Sequence, residues 1–364
     1  MLRRAAPVAT VEVAPNEPLA LPRRSFLPRY LLGIGVLAGS ALAALGLGST
    51  AIDPESIARI VLSHLPGIEL DEDISATWRS IIWEIRLPRV LLAGLAGATL
   101  AMAGATYQGV FRNPLAEPYL IGVATGANLA ATIVVVSGAS LAWHGLSLLP
   151  VAAFAGALAS VGAAYAVARF GRAAPSTTLI LAGVALSSLS TAVTTYLMIK
   201  NTSNSLTIFS SVLGGFNGTR WVEIAWVLPY VVIAPVVILA HGRILNVLSL
   251  DDEQARHLGI DVERTKLVLL GAASLAAAAA VAVSGTIGFV GLIVPHAVRL
   301  VWGPDNRQLL PMTILLGAAF LIGADLLART LDSPSEIPVG IITAFFGVPF
   351  FLYLLRRSGG AAYL

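Results

Sequence analysis

Three arginines at the ends of apolar runs carry the first chemical signal: Arg86 and Arg89 in IRLPR, and Arg329 four residues after Asp325. A guanidinium is a planar fork that binds carboxylates bidentately, so three of them facing one way suit the docking of an acidic protein surface. The same residues could instead snorkel at a membrane interface. The four-residue spacing also allows an Asp325–Arg329 pair on one helix face, which favours a structural Asp325 over a proton carrier. Other reactive groups are thin. The chain has no cysteine, which excludes thiol chemistry, disulfides and thiolate metal sites. His64, His144, His241, His257 and His296 form no pair at metal-ligand spacing, so no metal site is expected. Neither Lys200 nor Lys266 follows the glycine spacing of a phosphate-binding loop. Phosphate chemistry must come from elsewhere.

Two further stretches combine charge with helix-breaking residues. Residues 112–126, RNPLAEPYLIGVATG, place Pro114 and Pro118 around Glu117 and lead into a glycine-rich helix start. Proline lacks an amide donor and forbids a continuous helix. Irregular backbone at membrane depth persists only where it lines a cavity or is buried in protein. This stretch therefore reads as a pathway constriction at the inner face, or as an ordinary tight turn. Residues 248–266, LSLDDEQARHLGIDVERTK, are the most charged stretch of the chain. Asp251 and Asp252 suit a helix N-terminus, Gly259 suits the C-cap, and a second short turn is expected from Asp261. Leu250, Ala255, Leu258 and Ile260 would give this pair of short helices an apolar side for a partner's groove. A solvated loop is the alternative.

The elements that position these residues are membrane spans. The chain is 57% hydrophobic and 12% charged, with a mean hydropathy of +0.83, whereas soluble domains carry about a quarter charged residues. Residues 118–168 contain no Asp, Glu, Lys or Arg over 51 positions. Because about 20 helical residues cross a bilayer, that run predicts two spans with a turn near Ser137 to Ser147. Charge-free runs recur at 30–52, 90–111, 173–199, 224–242, 267–298, 308–324 and 337–355. Ser284, Gly285 and Gly288 split the 267–298 run, which brings the expected total to ten helices in an all-α, polytopic membrane protein. The second helix is expected to begin near Ile81. Residues 201–219 are uncharged but rich in Ser, Asn and Gly, and predict a short helix outside the membrane.

Ten crossings put both termini on one side. Placing them in the cytoplasm leaves sixteen of the 23 Lys and Arg inside and seven outside, as the positive-inside bias requires. Residues 1–28 read as a disordered cytoplasmic tail, 29–357 as one transmembrane domain with the charged loop 248–266, and 358–364 as a C-terminal tail.

Taken together, these stretches resemble the permease subunits of ABC importers for iron–siderophore chelates, haem and cobalamin, the type II importers. The resemblance rests on IRLPRVLLAGLAGATLAMAGATYQGVFRNPLAEPYLIGVATGA (85–127), STTLILAGVAL (176–186) and LDDEQARHLGIDVERTK (250–266). It also rests on SGTIGFVGLIVPHAVRLVWGPDNRQLLP (284–311) and ADLLARTLDSPSEIPVGIITAFFGVPFFLYLL (324–355), and it spans about residues 29–357. It implies a ten-helix subunit working as a homodimer with two cytoplasmic ABC ATPases, which bind ATP and Mg, and an external substrate-binding protein. No cofactor on this chain and no nucleic-acid partner are implied.

Carried onto this sequence, Arg86, Arg89 and Arg329 match the arginines that meet the binding protein. Asn113, Leu115, Ser176 and Thr177 match the cytoplasmic gate. The ATPase-coupling loop corresponds to Asp251, Asp252, Glu253, Ala255, Arg256, Leu258, Gly259 and Ile260. Ser187, Ser188, Thr191 and Gly288 are candidates for lining the pathway. The departures are the Pro-rich tail and a longer outer segment, 53–83. The implied role is import of a metal chelate through the cell membrane, ferric siderophore first, haem and cobalamin next. An ion-coupled transporter or channel is the rival reading, and Asp325 is its candidate carrier. An intramembrane enzyme would need paired carboxylates, a His cluster or a Ser–base constellation within spans, and none is apparent.

Overall fold

The structure, a computed structural model, describes residues 27–48, 50–64, 74–139, 142–143, 146–169, 176–201 and 212–357. Most of both expected tails lies outside the described residues, as does most of the short helix expected within 201–219. Leu27 and Pro28, expected in the tail, instead open the first helix, and residues 214–219 are irregular.

The described chain is helical: α1 (Leu27–Gly46), α2 (Pro54–Leu62), α3 (Ala76–Phe111), α4 (Val123–Ser137), α5 (Leu148–Ala168), α6 (Ser176–Lys200) and α7 (Trp221–Ala240) come first. After them follow α8 (Gly242–Leu248), α9 (Asp252–His257), α10 (Val262–Ser284), α11 (Val290–Trp302), α12 (Asn306–Thr330) and α13 (Val339–Arg357). Among the described residues, seven helices are long and apolar enough to cross a membrane: α1, α3, α5, α6, α7, α10 and α12. Three shorter apolar helices, α4, α11 and α13, accompany them. Together they account for the ten apolar helices expected from the charge-free runs. The turn expected between α4 and α5 carries a two-residue antiparallel ladder, Ala142–Trp143 with Leu146–Ser147.

Acidic and proline residues set the helix starts, as orphan amides at an N-terminus require. Asp53 Oδ1 accepts from Ser56 N at 2.8 Å, with Pro54 in the first turn of α2. Asp261 Oδ1 accepts from Arg264 N at 3.1 Å and opens α10 directly, so the second short turn expected there is the first turn of a long span. The break expected inside 267–298 falls between Ser284 and Val290, where Gly285 and Phe289 take positive φ of 67° and 68°.

α3 runs through the centre of the bundle, against α10, α11 and α12. In lipid the apolar surroundings give helices little hydrophobic drive to associate, so small residues that admit close backbone contact do the work. Gly97 of α3 meets the backbone of Gly317 on α12, and Gly104 meets Gly291 on α11; neither site has room for a Cβ. Ala276 to Ala279 of α10 are fully buried. A π-turn at Ile81–Arg86 interrupts α3 near its start, where Leu87 N bonds to Ile82 O. Such turns are rare and concentrate at functional sites.

Candidate functional site

Arg89 stands near the start of the α-helical part of α3 and Arg112 just beyond its end. At 1.5 Å per residue they lie about 35 Å apart, at opposite ends of the bundle. The two ends are called below the Asp325 end and the Asp252 end.

At the Asp325 end, Arg89 holds two carboxylates. Its Nε donates to Asp325 Oδ2 at 3.0 Å and Oδ1 at 3.1 Å, and one terminal nitrogen donates to Oδ1 at 2.8 Å. Glu336 takes the other side, at 3.0 and 2.9 Å. Arg86 is buried against backbone, donating to Leu45 O at 2.6 Å, Gly46 O at 3.3 Å and Thr50 O at 2.5 Å. Arg329 donates to Ala44 O, and its Nε lies 3.9 Å from Asp325 Oδ2. These contacts cap the carbonyls at the end of α1 and fasten α3 to α12.

Two expectations are corrected here. The three guanidiniums are not open forks: Arg86 and Arg89 are only 5% and 9% exposed, the Arg329 side chain is 9% exposed, and each donates within this chain, although Arg329 Nε is buried without a hydrogen bond. Asp325 does sit beside Arg329, but its close partner is Arg89, 236 residues away. Beside this cluster a cavity of about 400 Å3 is lined by Arg89, Asn128, Glu223, Ser284 and Glu336, among others.

At the Asp252 end, α9 forms the expected short helix. Asp251 caps it, donated to by Asp252 N at 2.7 Å, and Gly259 ends it with φ +81°. Its sides are divided. Ala255 is fully buried and Ile260 rests on the core, while Leu250 and Leu258 are 47% and 63% exposed, alongside exposed Glu253 and Arg256. The expected apolar side is thus split: two residues anchor the helix and two leucines point away. Asp252 is held within the chain, by Lys266 Nζ at 2.8 Å and by Arg112. Arg112 also donates through Nε to Leu248 O at 2.8 Å.

From Arg112 the backbone turns sharply, with φ +49°. Asn113 Oδ1 accepts from Leu115 N at 2.9 Å, and Pro118–Ile121 forms a 3-10 turn ending at Gly122, φ +87°. This segment reaches well into the bundle. The Tyr119 hydroxyl donates to Ile287 O at 2.8 Å and accepts from Ile287 N at 3.2 Å, inside the break between α10 and α11. The carbonyl of Leu120 and the Cα of Ile121 lie against Gly183 on α6, too close for any side chain there. Irregular backbone at such depth is therefore buried and paired, as the low dielectric demands.

Of the expected gate residues, Asn113 and Leu115 shape the first turn of this segment and Thr177 is exposed at the start of α6. Leu120, outside the expected set, meets α6 at Gly183. The pathway candidates come together better. Ser187, Ser188 and Thr191 line a groove of about 610 Å3 with Tyr119, Leu120, Val184 and Ala192. Gly288 does not line it; it lies in the α10–α11 break. Thr125 Oγ1 donates to Ser187 Oγ at 3.1 Å, and Asn128 and Thr286 exchange bonds at 3.0 and 3.2 Å. α6 carries nine Ser or Thr among 25 residues and leaves most of its length uncovered by the rest of the chain.

Sequence reasoning missed Arg112, Tyr119 and Glu336 as site residues. Arg112 and Tyr119 lay inside the stretch it singled out. Nothing local to Glu336 pointed to Arg89.

A family model described as the FecCD transport family matches residues 36–357. The cobalamin import system permease protein BtuC of Halobacterium salinarum is 46% identical over 283 residues, covering 78% of this chain and 75% of that one. The hemin transport system permease protein HmuU of Yersinia pestis is 38% identical over 336 residues, covering 91% and 96%. A solved inward-facing structure of a metal-chelate type ABC transporter superposes with a TM-score of 0.77 at 31% identity, covering 91% of this chain and 99% of that one.

Proposed function

Because the chain belongs to the FecCD transport family and is a membrane-spanning permease subunit of an ABC importer of the metal-chelate class, we propose that two copies form a pathway for a ferric siderophore. Haem and cobalamin are the next cargoes in line. Two copies of a cytoplasmic ABC ATPase bind ATP and Mg and supply the work, and an external substrate-binding protein delivers the cargo. The chain itself hydrolyses nothing. Both termini and the Asp252 end face the cytoplasm, in keeping with the sixteen-to-seven split of basic residues.

The observation that carries this reading is the uncovered face of α6. A helix facing lipid has no use for exposed Thr177, Ser188 and Thr191, whereas hydroxyls spaced along an otherwise apolar wall suit a hydrated path for a bulky chelate. A second copy set against this face would enclose the groove at Ser187, Ser188 and Thr191. On the cytoplasmic side, exposed Leu250 and Leu258 with Glu253 and Arg256 form a knob for a groove on the ATPase. The external protein docks over the Asp325 end, whose shape Arg86, Arg89 and Arg329 hold from beneath. The pairing of Asp325 with Arg89 speaks against the ion-coupled rival.

Reconstitution into liposomes with the ATPase and the binding protein tests the proposal. Lumenal ATP should drive accumulation of a ferric siderophore, and a catalytically dead ATPase should abolish it. Accumulation that follows an imposed ion gradient and ignores ATP would refute the ATP-driven import.

A further inference from the structure

We propose that Arg112 and Tyr119 are the two joints of a linkage that carries movement of the α9 foot to the pathway helix α6. The idea deepens the ATP-driven reading above and rests on it. At the first joint, Arg112 grips the cap of α9: it pairs with Asp252, approaches Asp251 Oδ1 at 3.7 Å, and donates to Leu248 O at 2.8 Å. The same residue ends α3 in the left-handed region, φ +49°. That conformation is costly for a residue with a Cβ and persists where surrounding contacts over-determine it.

The segment between the joints is a strut rather than a slack tether. Pro114 and Pro118 fix φ at two of its positions. Asn113 closes a turn through Leu115 N at 2.9 Å and Ala116 N at 3.0 Å, and Ala116 is fully buried. A displacement of Arg112 therefore passes along the segment rather than being absorbed by it.

At the second joint, one phenol hydroxyl satisfies both backbone groups of Ile287, which is 1% exposed in a stretch without helix bonds. Buried backbone groups are costly to leave unpaired, so the Tyr119 ring and the α10–α11 break move together. The next residues bear on α6 at Gly183, backbone against backbone, one turn below Ser187 and Ser188. Pushing the foot thus tilts the wall of the groove. Both residues are positioning residues; neither needs to touch cargo.

The absence of cysteine makes the test direct. Ser188→Cys places one thiol per copy in the groove, and its labelling rate by a membrane-impermeant maleimide is read on this chain in the assembled complex, without nucleotide and with MgATP plus vanadate. In the parent, nucleotide should change the rate by about tenfold. Arg112→Gln and Tyr119→Phe should each reduce that change to within about twofold, while the complex still assembles and hydrolyses ATP. If Arg112→Gln does not assemble, Tyr119→Phe, which removes one hydroxyl and no charge, decides alone. Undiminished nucleotide response in Tyr119→Phe would overturn the linkage and leave the import reading standing. A response lost in proportion to hydrolysis would also overturn it, since the hydroxyl would then only hold the fold. A parent that does not respond to nucleotide would bring down the ATP-driven reading and the linkage together.

Discussion

The two ends of the bundle use the same ion-pair chemistry in opposite ways. At the Asp325 end, the Arg89 and Asp325 side chains are 10% and 1% exposed and joined through several hydrogen bonds. At the Asp252 end, the Arg112 and Asp252 side chains are 33% and 36% exposed, and Lys266 shares the carboxylate. A buried pair is costly to break, because removing one partner strands the other charge. A half-exposed pair in higher dielectric is worth little and exchanges easily with water and salt. One end is a clamp and the other an adjustable joint. The molecule is stiff where its helices must stay fixed and compliant where a partner must move it.

Breaking the clamp should give the largest effect. Arg89→Ala takes Glu336's cation and Asp325's close one, leaving Asp325 only Arg329 at 3.9 Å, and should cost about 3–5 kcal/mol, read as a fall in the unfolding midpoint in detergent. Adding Asp325→Ala to that variant should recover part of the loss, because the stranded charge is gone. Equal instability of both would mean that shape, not charge, holds this end. The joint should respond far less: Asp252→Asn should cost under about 1 kcal/mol in the same assay. A loss as large as that of Arg89→Ala would erase the distinction between the ends. Salt sharpens it further. Raising ionic strength to about 1 M, where the screening length is near 3 Å, should speed amide exchange in α9 and leave the first turns of α3 unchanged.

The smallest effect belongs to Asp53, which caps α2. Hydrogen bonds from Ser56 hold its carboxyl below the usual aspartate range. A depressed pKa in the folded state means the cap stabilises at neutral pH and is lost only as pH falls through that lowered value. Protection of the Ser56 amide, relative to its intrinsic exchange rate, should therefore persist at pH 7 and fall only as pH drops through that lowered value, whereas Asp53→Ala should lack it already at pH 7.

The helices were legible because their signal is local. Charge-free runs, the Ser284–Gly288 interruption, and the Asp251 and Gly259 caps are each written within a few residues. The prolines of residues 112–126 announced broken backbone, though not where it goes. Its depth depends on Gly183 admitting Leu120 and on Tyr119 finding Ile287, 168 residues away. The arginines were misjudged for the same reason. RLPR at the end of an apolar run looks the same whether solvent or a distant carboxylate receives it, and Glu336 lies 247 residues from Arg89. Spacing along one helix suggested Arg329 for Asp325, but the tertiary fold gave Asp325 to Arg89.

The π-turn at Ile81–Arg86 has a consequence for how this region can vary. The wide turn takes up one more residue than α-winding over the same stretch, so losing one residue there would restore ordinary winding with both sides of α3 near their present phase, whereas the same loss elsewhere in α3 would turn one side by about 100° against the other. Trp83, which stacks on His64 at 3.5 Å and receives a bond from Trp221, lies within the wide turn, so the cost of such a change would fall on its contacts. A one-residue change in length is thus absorbed at this spot with little loss of angle, while the same change in the regular part of α3 would turn its packed faces away from their partners.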